Sequence, residues 1–237
     1  MLVVVATALV LVLAGCGGTG FQYVSSPSDG AFYKLPNKWR VFDEEQALMP
    51  TGESENGRTG LRFLSIFDAS PTPDVQRQLR IISTMENDQA FQLVEDDIAD
   101  GLPYNWPWFR LQTAEHPFGV AWVRELTLEE RDAFSRFDLR NEVVPLDRIN
   151  DQAIGEVRFL RPPEGIVKPR GLAGTRLAYE IQYAAPTPGS FTVDQTGLID
   201  PDHRVVYFFI IGCQTECYNT NRSTITQIAD SWTIKEP

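Results

Sequence analysis

Val205-Val206-Tyr207-Phe208-Phe209-Ile210-Ile211 is apolar without a break. A strand with one wet face alternates apolar and polar side chains. A strand apolar on both faces must be covered on both. The run therefore predicts a central strand between two layers. Asp200-Pro201-Asp202-His203 ahead of it has the composition of a tight turn. Phe191 to Ile199 reads as the strand before that turn. A further strand runs from Leu172 or Thr175 to Tyr183, joined through residues 184–189. Three strands with short links form an antiparallel meander. Beyond the apolar run, Ile225, Ile228, Ala229 and Trp232 recur at the spacing of one helical face. Asn221 or Ser223 would cap that helix, and Thr233-Ile234-Lys235 leaves it extended.

The amino-terminal half carries similar signals at lower density. Ala31 to Pro36 and Trp39 to Phe42 flank a Pro-Asn turn and read as a hairpin. Leu61 to Phe67 reads as a strand. Val75, Leu79, Ile82 and Met85 mark a helix. Phe109-Arg110-Leu111 and Gly119 to Val123 read as paired strands around a turn holding His116-Pro117. Thr127-Leu128-Glu129-Glu130 is a capping box, starting a helix that should reach Phe137. Asp147 to Gly155 reads as loop and Glu156 to Leu160 as a short strand, broken by Arg161-Pro162-Pro163-Glu164-Gly165. Helices separated by antiparallel strands make an α+β fold, an antiparallel sheet flanked by helices in an α/β/α sandwich.

The chain opens with a different kind of segment. Leu2 to Leu13 is apolar and uncharged, and it ends at Leu13-Ala14-Gly15-Cys16. It is too short to cross a bilayer, which takes roughly 20 apolar residues. It has the length of the apolar core of a secretion signal. These four residues resemble the lipobox of bacterial lipoproteins. The resemblance implies that residues 1–15 are a signal peptide, that Cys16 receives a diacylglyceryl group, and that the new amino terminus is acylated. No Lys or Arg precedes Cys16, a departure from such signals that implies a start placed too late. Residues 16–30, rich in Gly and Ser, then form a lipid-anchored flexible tether. Residues 31–237 form a single domain. The implied location is the outer leaflet of a cytoplasmic membrane.

Composition limits the partners. The formal charge is −11, from 21 basic and 32 acidic residues. An acidic chain without a basic stripe is a poor ligand for phosphate backbones, so nucleic acid is excluded as a partner. The same balance disfavours anionic lipid as a partner for the surface at large, although net charge is an average and local exceptions escape it. With Cys16 lipidated, Cys213 and Cys217 remain. Four residues apart in an exported chain, they read as a disulfide. The spacing of a thioredoxin-like redox pair is missing.

No nucleophile elbow, phosphate-binding loop, zinc-protease helix or dinucleotide fingerprint occurs. The two histidines, His116 and His203, sit at turn positions. Glu95, Asp96, Asp97 and Asp100 lack the spacing of a calcium loop, so neither metal nor cofactor is expected. Tyr104, Trp106, Trp108 and Trp122 are the candidate contacts for a ligand or partner, because they offer flat apolar area with a polar handle. The alternative is that they seal a loop onto the core.

A second resemblance lies at the two ends. Phe32-Tyr33-x-Leu35-Pro36-x-x-Trp39, the late meander, and Asp230-Ser231-Trp232-Thr233-Ile234 resemble the PsbP-like fold, including actinobacterial lipoproteins built on it. The middle of the chain, 95–170, does not match that pattern. The resemblance implies a non-catalytic binding or assembly module of the cell envelope, with an envelope protein or small molecule as partner and the membrane held through the lipid. The rival expectation is a secreted hydrolase that uses paired carboxylates on an envelope glycan or peptide.

Overall fold

The computed structural model describes residues 20–43, 60–73, 111, 114–151, 155–168, 171–183 and 189–235. Among the described residues the first elements are four strands: β1 (Phe21–Ser26), β2 (Ala31–Pro36), β3 (Arg40–Asp43) and β4 (Leu61–Asp68). β5 (Phe118–Glu125) leads to α1 (Leu128–Ala133), a 3-10 turn at Asp138–Arg140, and α2 (Leu146–Asp151). The meander β6 (Gly155–Val167), β7 (Ala173–Tyr183), β8 (Ser190–Ile199) and β9 (Val205–Gln214) follows. The chain closes with α3 (Thr215–Ser231) and β10 (Thr233–Ile234).

Seven strands form one antiparallel sheet in the order β3-β4-β5-β9-β8-β7-β6. β9 is its middle strand, as the unbroken apolar run requires, and every residue from Val205 to Cys213 is buried. Phe209 faces Tyr33 and Trp232, which belong to the layer made by α3 and a small sheet, β1-β2-β10. Phe208 points the other way and stacks on Trp122. That face is closed by the segment from α1 to α2, which buries Leu139, Val143, Val144, Leu146 and Ile149. The architecture is α+β, an antiparallel sheet with a layer on each face.

The turn into β9 follows from its sequence. The Asp200 carboxylate accepts from the amides of Arg204 (2.6 Å) and Val205 (2.9 Å). His203 takes the left-handed conformation, with φ 52°. The capping box is present as written. Thr127 Oγ1 accepts from the Glu130 amide, and the Glu130 carboxylate accepts from the Thr127 amide. The helix stops at Ala133, short of Phe137. Phe134 is already extended, and the Asp138 carboxylate captures the next amide, that of Ser135, at 2.6 Å.

Several sequence expectations give way. β2 and β3 do not pair with each other. A turn does join them, with the Trp39 amide bonded to the Pro36 carbonyl, but β2 pairs with β1 and β10 while β3 pairs with β4. The expected tether of 16–30 ends by Phe21, because β1 is a strand. Its partner strand and a turn at residues 26–30 hold it. Gly30 there has φ 68°, and the buried Asp29 accepts from Ser26 and pairs with Arg62. β5 pairs with β4 and β9 rather than with residues 109–111. Leu111 is helical and buried. Residues 147–151 are helix, not loop. β6 runs straight through Pro162-Pro163. It is an edge strand with two register shifts, at Phe159/Arg161 and Arg161/Glu164, where a missing amide costs no ladder bond. The expected helix over 75–85 lies outside the described residues.

The closing helix begins at Thr215, earlier than Asn221 or Ser223. Tyr218 is buried two turns before Ile225, on the same apolar face. Cys213, at the end of β9, is bridged to Cys217 in the first turn of α3. A ring of this size restricts the unfolded chain by about 2 kcal/mol. It fixes the angle at which the helix leaves the sheet.

Candidate functional site

α3 lies across β8 and β9. Beyond it, towards the β6 edge, the same sheet face presents charged side chains. Asp194 on β8 is fully buried. Its carboxylate accepts from Arg176 Nε (3.2 Å) and Nη2 (3.3 Å) on β7, and from Arg161 Nη1 (3.2 Å) on β6. Arg176 Nη1 also donates to Asp230 on α3 at 2.6 Å. One strand further out, Arg158 pairs with Glu180. Tyr218 is buried on α3, within electrostatic range of Asp194 and of the Arg161, Arg176 and Arg222 guanidiniums. The register makes this cluster. Arg161 stands opposite Ala178, Ala178 opposite Asp194, and Arg176 opposite Thr196, so all of them share a face.

Burial pushes the Asp194 carboxyl above its usual range, and the two arginines pull it back only in part. Burial likewise raises the Tyr218 hydroxyl, to about 12. Asp194, Asp230 and Glu180 are each bonded to an arginine, while Arg222 forms no ion pair among the described residues. Arg158 and Arg222 are exposed, and Arg161 is partly so. The open donors are therefore guanidinium N–H groups, which suit a carboxylate or phosphate oxygen.

Raised as it is, the Asp194 carboxyl binds its proton more tightly folded than unfolded. Its ionisation therefore costs stability above the ordinary carboxylate range, and that cost vanishes below it. Arg176→Met removes the main offset and should destabilise the protein by about 3 kcal/mol at neutral pH. The loss should shrink as pH falls and Asp194 takes a proton. Arg176→Met with Asp194→Asn should recover most of it. Urea unfolding at two pH values checks this. A loss independent of pH, or unrelieved by Asp194→Asn, would contradict it.

A second ion cluster lies on the opposite face. Arg124 donates to Glu130 (2.6 Å) and Glu142 (3.1 Å), which ties α1 and the turn after it to β5. Burial raises Glu142. Arg124 is buried and Glu130 and Glu142 are partly exposed, so the cluster serves to join these elements. Beside α3, Lys34, Ser223, Thr226, Gln227, Asp230 and Ser231 line an open depression of about 510 Å³.

The residues singled out from sequence fall in different places. Cys16, Tyr104, Trp106 and Trp108 lie outside the described residues, as do Glu95, Asp96, Asp97 and Asp100. Trp122 is a core side chain, 5% exposed and stacked on Phe208 with ring centres 5.0 Å apart. Its ring face is occupied by Phe208, which corrects its reading as a ligand contact. His116 and His203 are exposed at bends. Among the described residues no cluster of His, Cys, Asp or Glu could hold a metal. No helix among them is long and apolar enough to cross a membrane. The arginine cluster was not singled out from sequence. Its signal is period-two placement of Arg176, Ala178 and Glu180 on β7, which reads as an ordinary solvated strand face until Asp194 is known to lie beneath.

No protein-family model matches the chain, and no curated protein matches it in sequence. Among solved structures, it is similar to the cyanobacterial PsbP protein CyanoP of Synechocystis, at 14% identity and a TM-score of 0.46, over 94% of this chain and 99% of that one. It is also similar to LpqN, a protein involved in cell envelope biogenesis of Mycobacterium tuberculosis. That match has 11% identity and a TM-score of 0.38, over 93% of this chain and 88% of that one.

Proposed function

We propose that this chain is a lipid-anchored protein of the cell envelope whose folded domain binds a partner without catalysing a reaction. Cys16, at the end of an apolar run, supports the anchor. The observation that carries the binding role is the arginine cluster. In a chain of net charge −11, Arg158 and Arg161 on β6 and Arg222 on α3 present open guanidinium donors, while Asp194, Asp230 and Glu180 are tied to arginines. Donors without a neighbouring free base suit recognition better than proton transfer. The partner in this reading is an envelope protein or small molecule carrying a carboxylate or phosphate group.

Affinity capture from detergent-solubilised membranes tests it, comparing the wild type with Arg158→Glu/Arg222→Glu. Both changes lie at exposed positions. The expected result is a reproducible partner whose recovery falls at least tenfold in the variant. The same partners at the same yield in both would overturn the arginine face as the site. Turnover of a glycan or peptide library, abolished by changing one carboxylate, would overturn the non-catalytic reading and identify a hydrolase.

A further inference from the structure

The outer face of the small sheet has an unusual composition for this acidic chain. Tyr33, Leu35 and Ala31 of β2 point into the core. The alternate residues point out: Phe32, Lys34 and Pro36 on β2, with Ser25, Tyr23 and Phe21 respectively opposite them on β1. Tyr23 is 75% exposed. Lys34 Nζ lies 5.0 Å from the centre of the Phe21 ring, and Lys235 Nζ lies 5.3 Å from that of Phe32. Each ammonium is thus held over an aromatic ring on the same open surface. No described side chain on this face is acidic. Asp230 borders the depression next to Lys34 but is bonded to Arg176. Aromatic rings between lysines are what a lipid headgroup layer accommodates, since the rings sit at the interface and the cations meet anionic phosphates.

Position supplies the second observation. β1 begins at Phe21, five residues after Cys16. Five residues span at most ~17 Å. The Asn37 amide bonds to the Gly20 carbonyl, so the exposed turn that carries Lys38 stands at this same end of the sheet. A lipid on Cys16 would hold Phe21, Lys34 and Lys38 against the headgroups.

We propose that the outer face of β1-β2-β10 lies on the anionic phospholipid surface and sets the orientation of the domain on its membrane. This rests on lipidation of Cys16, as in the function proposed above. The lipid supplies retention, and the sheet face supplies orientation. The arginine cluster stands on β6, β7 and β8 and reaches the depression beside Lys34 through Asp230, which Arg176 holds.

The full lipidated chain reconstituted into vesicles tests the proposal. A nitroxide is placed at position 23 (Tyr23→Cys) or, on the opposite layer, at position 137 (Phe137→Cys), where the native side chain is also exposed. Accessibility to a water-soluble nickel chelate is then read. In vesicles of equal phosphatidylglycerol and phosphatidylcholine, the label at 23 should be several-fold less accessible than that at 137. Each lysine near an anionic surface contributes about 5-fold in binding, so Lys34→Gln/Lys235→Gln should lower the docked fraction relative to the undocked by ~30-fold. The label at 23 should then become as accessible as that at 137, while the protein stays with the vesicles. Pure phosphatidylcholine should have a similar effect. Equal accessibility of both labels on anionic vesicles, with the protein still anchored, would overturn the docking. So would protection unchanged by the lysine substitutions. Loss of the protein from the vesicles altogether would instead overturn the anchor on which the docking depends.

Discussion

Cys16→Ala is expected to abolish lipid anchoring. In the wild type, nearly all of the protein should sediment with membranes and extract only into detergent. In the variant there is no thiol to alkylate. The chain should then stay in the membrane with residues 1–15 attached, or appear in soluble form after adventitious cleavage. The effect is all-or-none because attachment scales with buried methylenes at about 0.8 kcal/mol each, and a multiply acylated cysteine carries dozens. Membrane fractionation with immunoblotting reads both the partition and the shift in size. Unchanged processing and unchanged partition would contradict the prediction.

Trp232→Ala is expected to have the largest effect on stability. Trp232 ends α3, is 2% exposed, and stacks on Phe209 with ring centres 5.4 Å apart. Tyr33 of the small sheet packs against it at 6.0 Å and against Phe209 at 5.3 Å. Phe67 of β4 extends the group. One indole therefore joins the closing helix, the small sheet and the large sheet, and β10 follows directly after it. Removing it should cost about 4 kcal/mol. For a chain of this size that lowers the Tm by roughly 10 °C. Trp232→Phe should retain the larger part. Thermal unfolding followed by near-ultraviolet circular dichroism checks both, since the aromatic cluster dominates that signal. A loss below about 1 kcal/mol for the alanine variant would mean that the three elements are joined elsewhere.

The carboxy-terminal end of the fold was legible in the sequence, for local reasons. The run Val205 to Ile211 demanded cover on both faces. Ile225, Ile228, Ala229 and Trp232 marked the closing helix, and all four are buried. The two cysteines read as a bridge and stand as one. Each of these features is written within a few residues of chain. Elsewhere a partner distant in sequence decides the outcome. Ala31–Pro36 and Arg40–Asp43 looked like a hairpin because a turn joins them, yet their sheets differ. β6 carries two prolines that would exclude an interior strand, but its place at the edge tolerates them. β1 is a strand because β2 pairs with it, although its surroundings have the composition of a tether. α3 begins before its readable pattern, because Thr215 to Thr220 offers Tyr218 and the bridged Cys217 as its apolar contacts, too few to mark a helical face.

The arginine cluster shows the same limit. Arg161, Arg176, Asp194 and Asp230 span 70 positions in the chain, and only the register of β6, β7 and β8 gathers them. Nothing local in the sequence marks Asp194 as the buried anchor of three strands and a helix. The basic, aromatic face of the small sheet was hidden by averaging, because a net charge of −11 describes the whole chain and not this surface.

The central claim is that the domain is held at a membrane by lipid on Cys16. The mass of the amino-terminal proteolytic peptide, taken from protein purified out of membranes, tests it most directly. The expected peptide begins at Cys16 and carries a diacylglyceryl group on sulfur, with an acyl chain on its amino group. A membrane-derived peptide that retains residues 1–15 and an unmodified Cys16 thiol would contradict it.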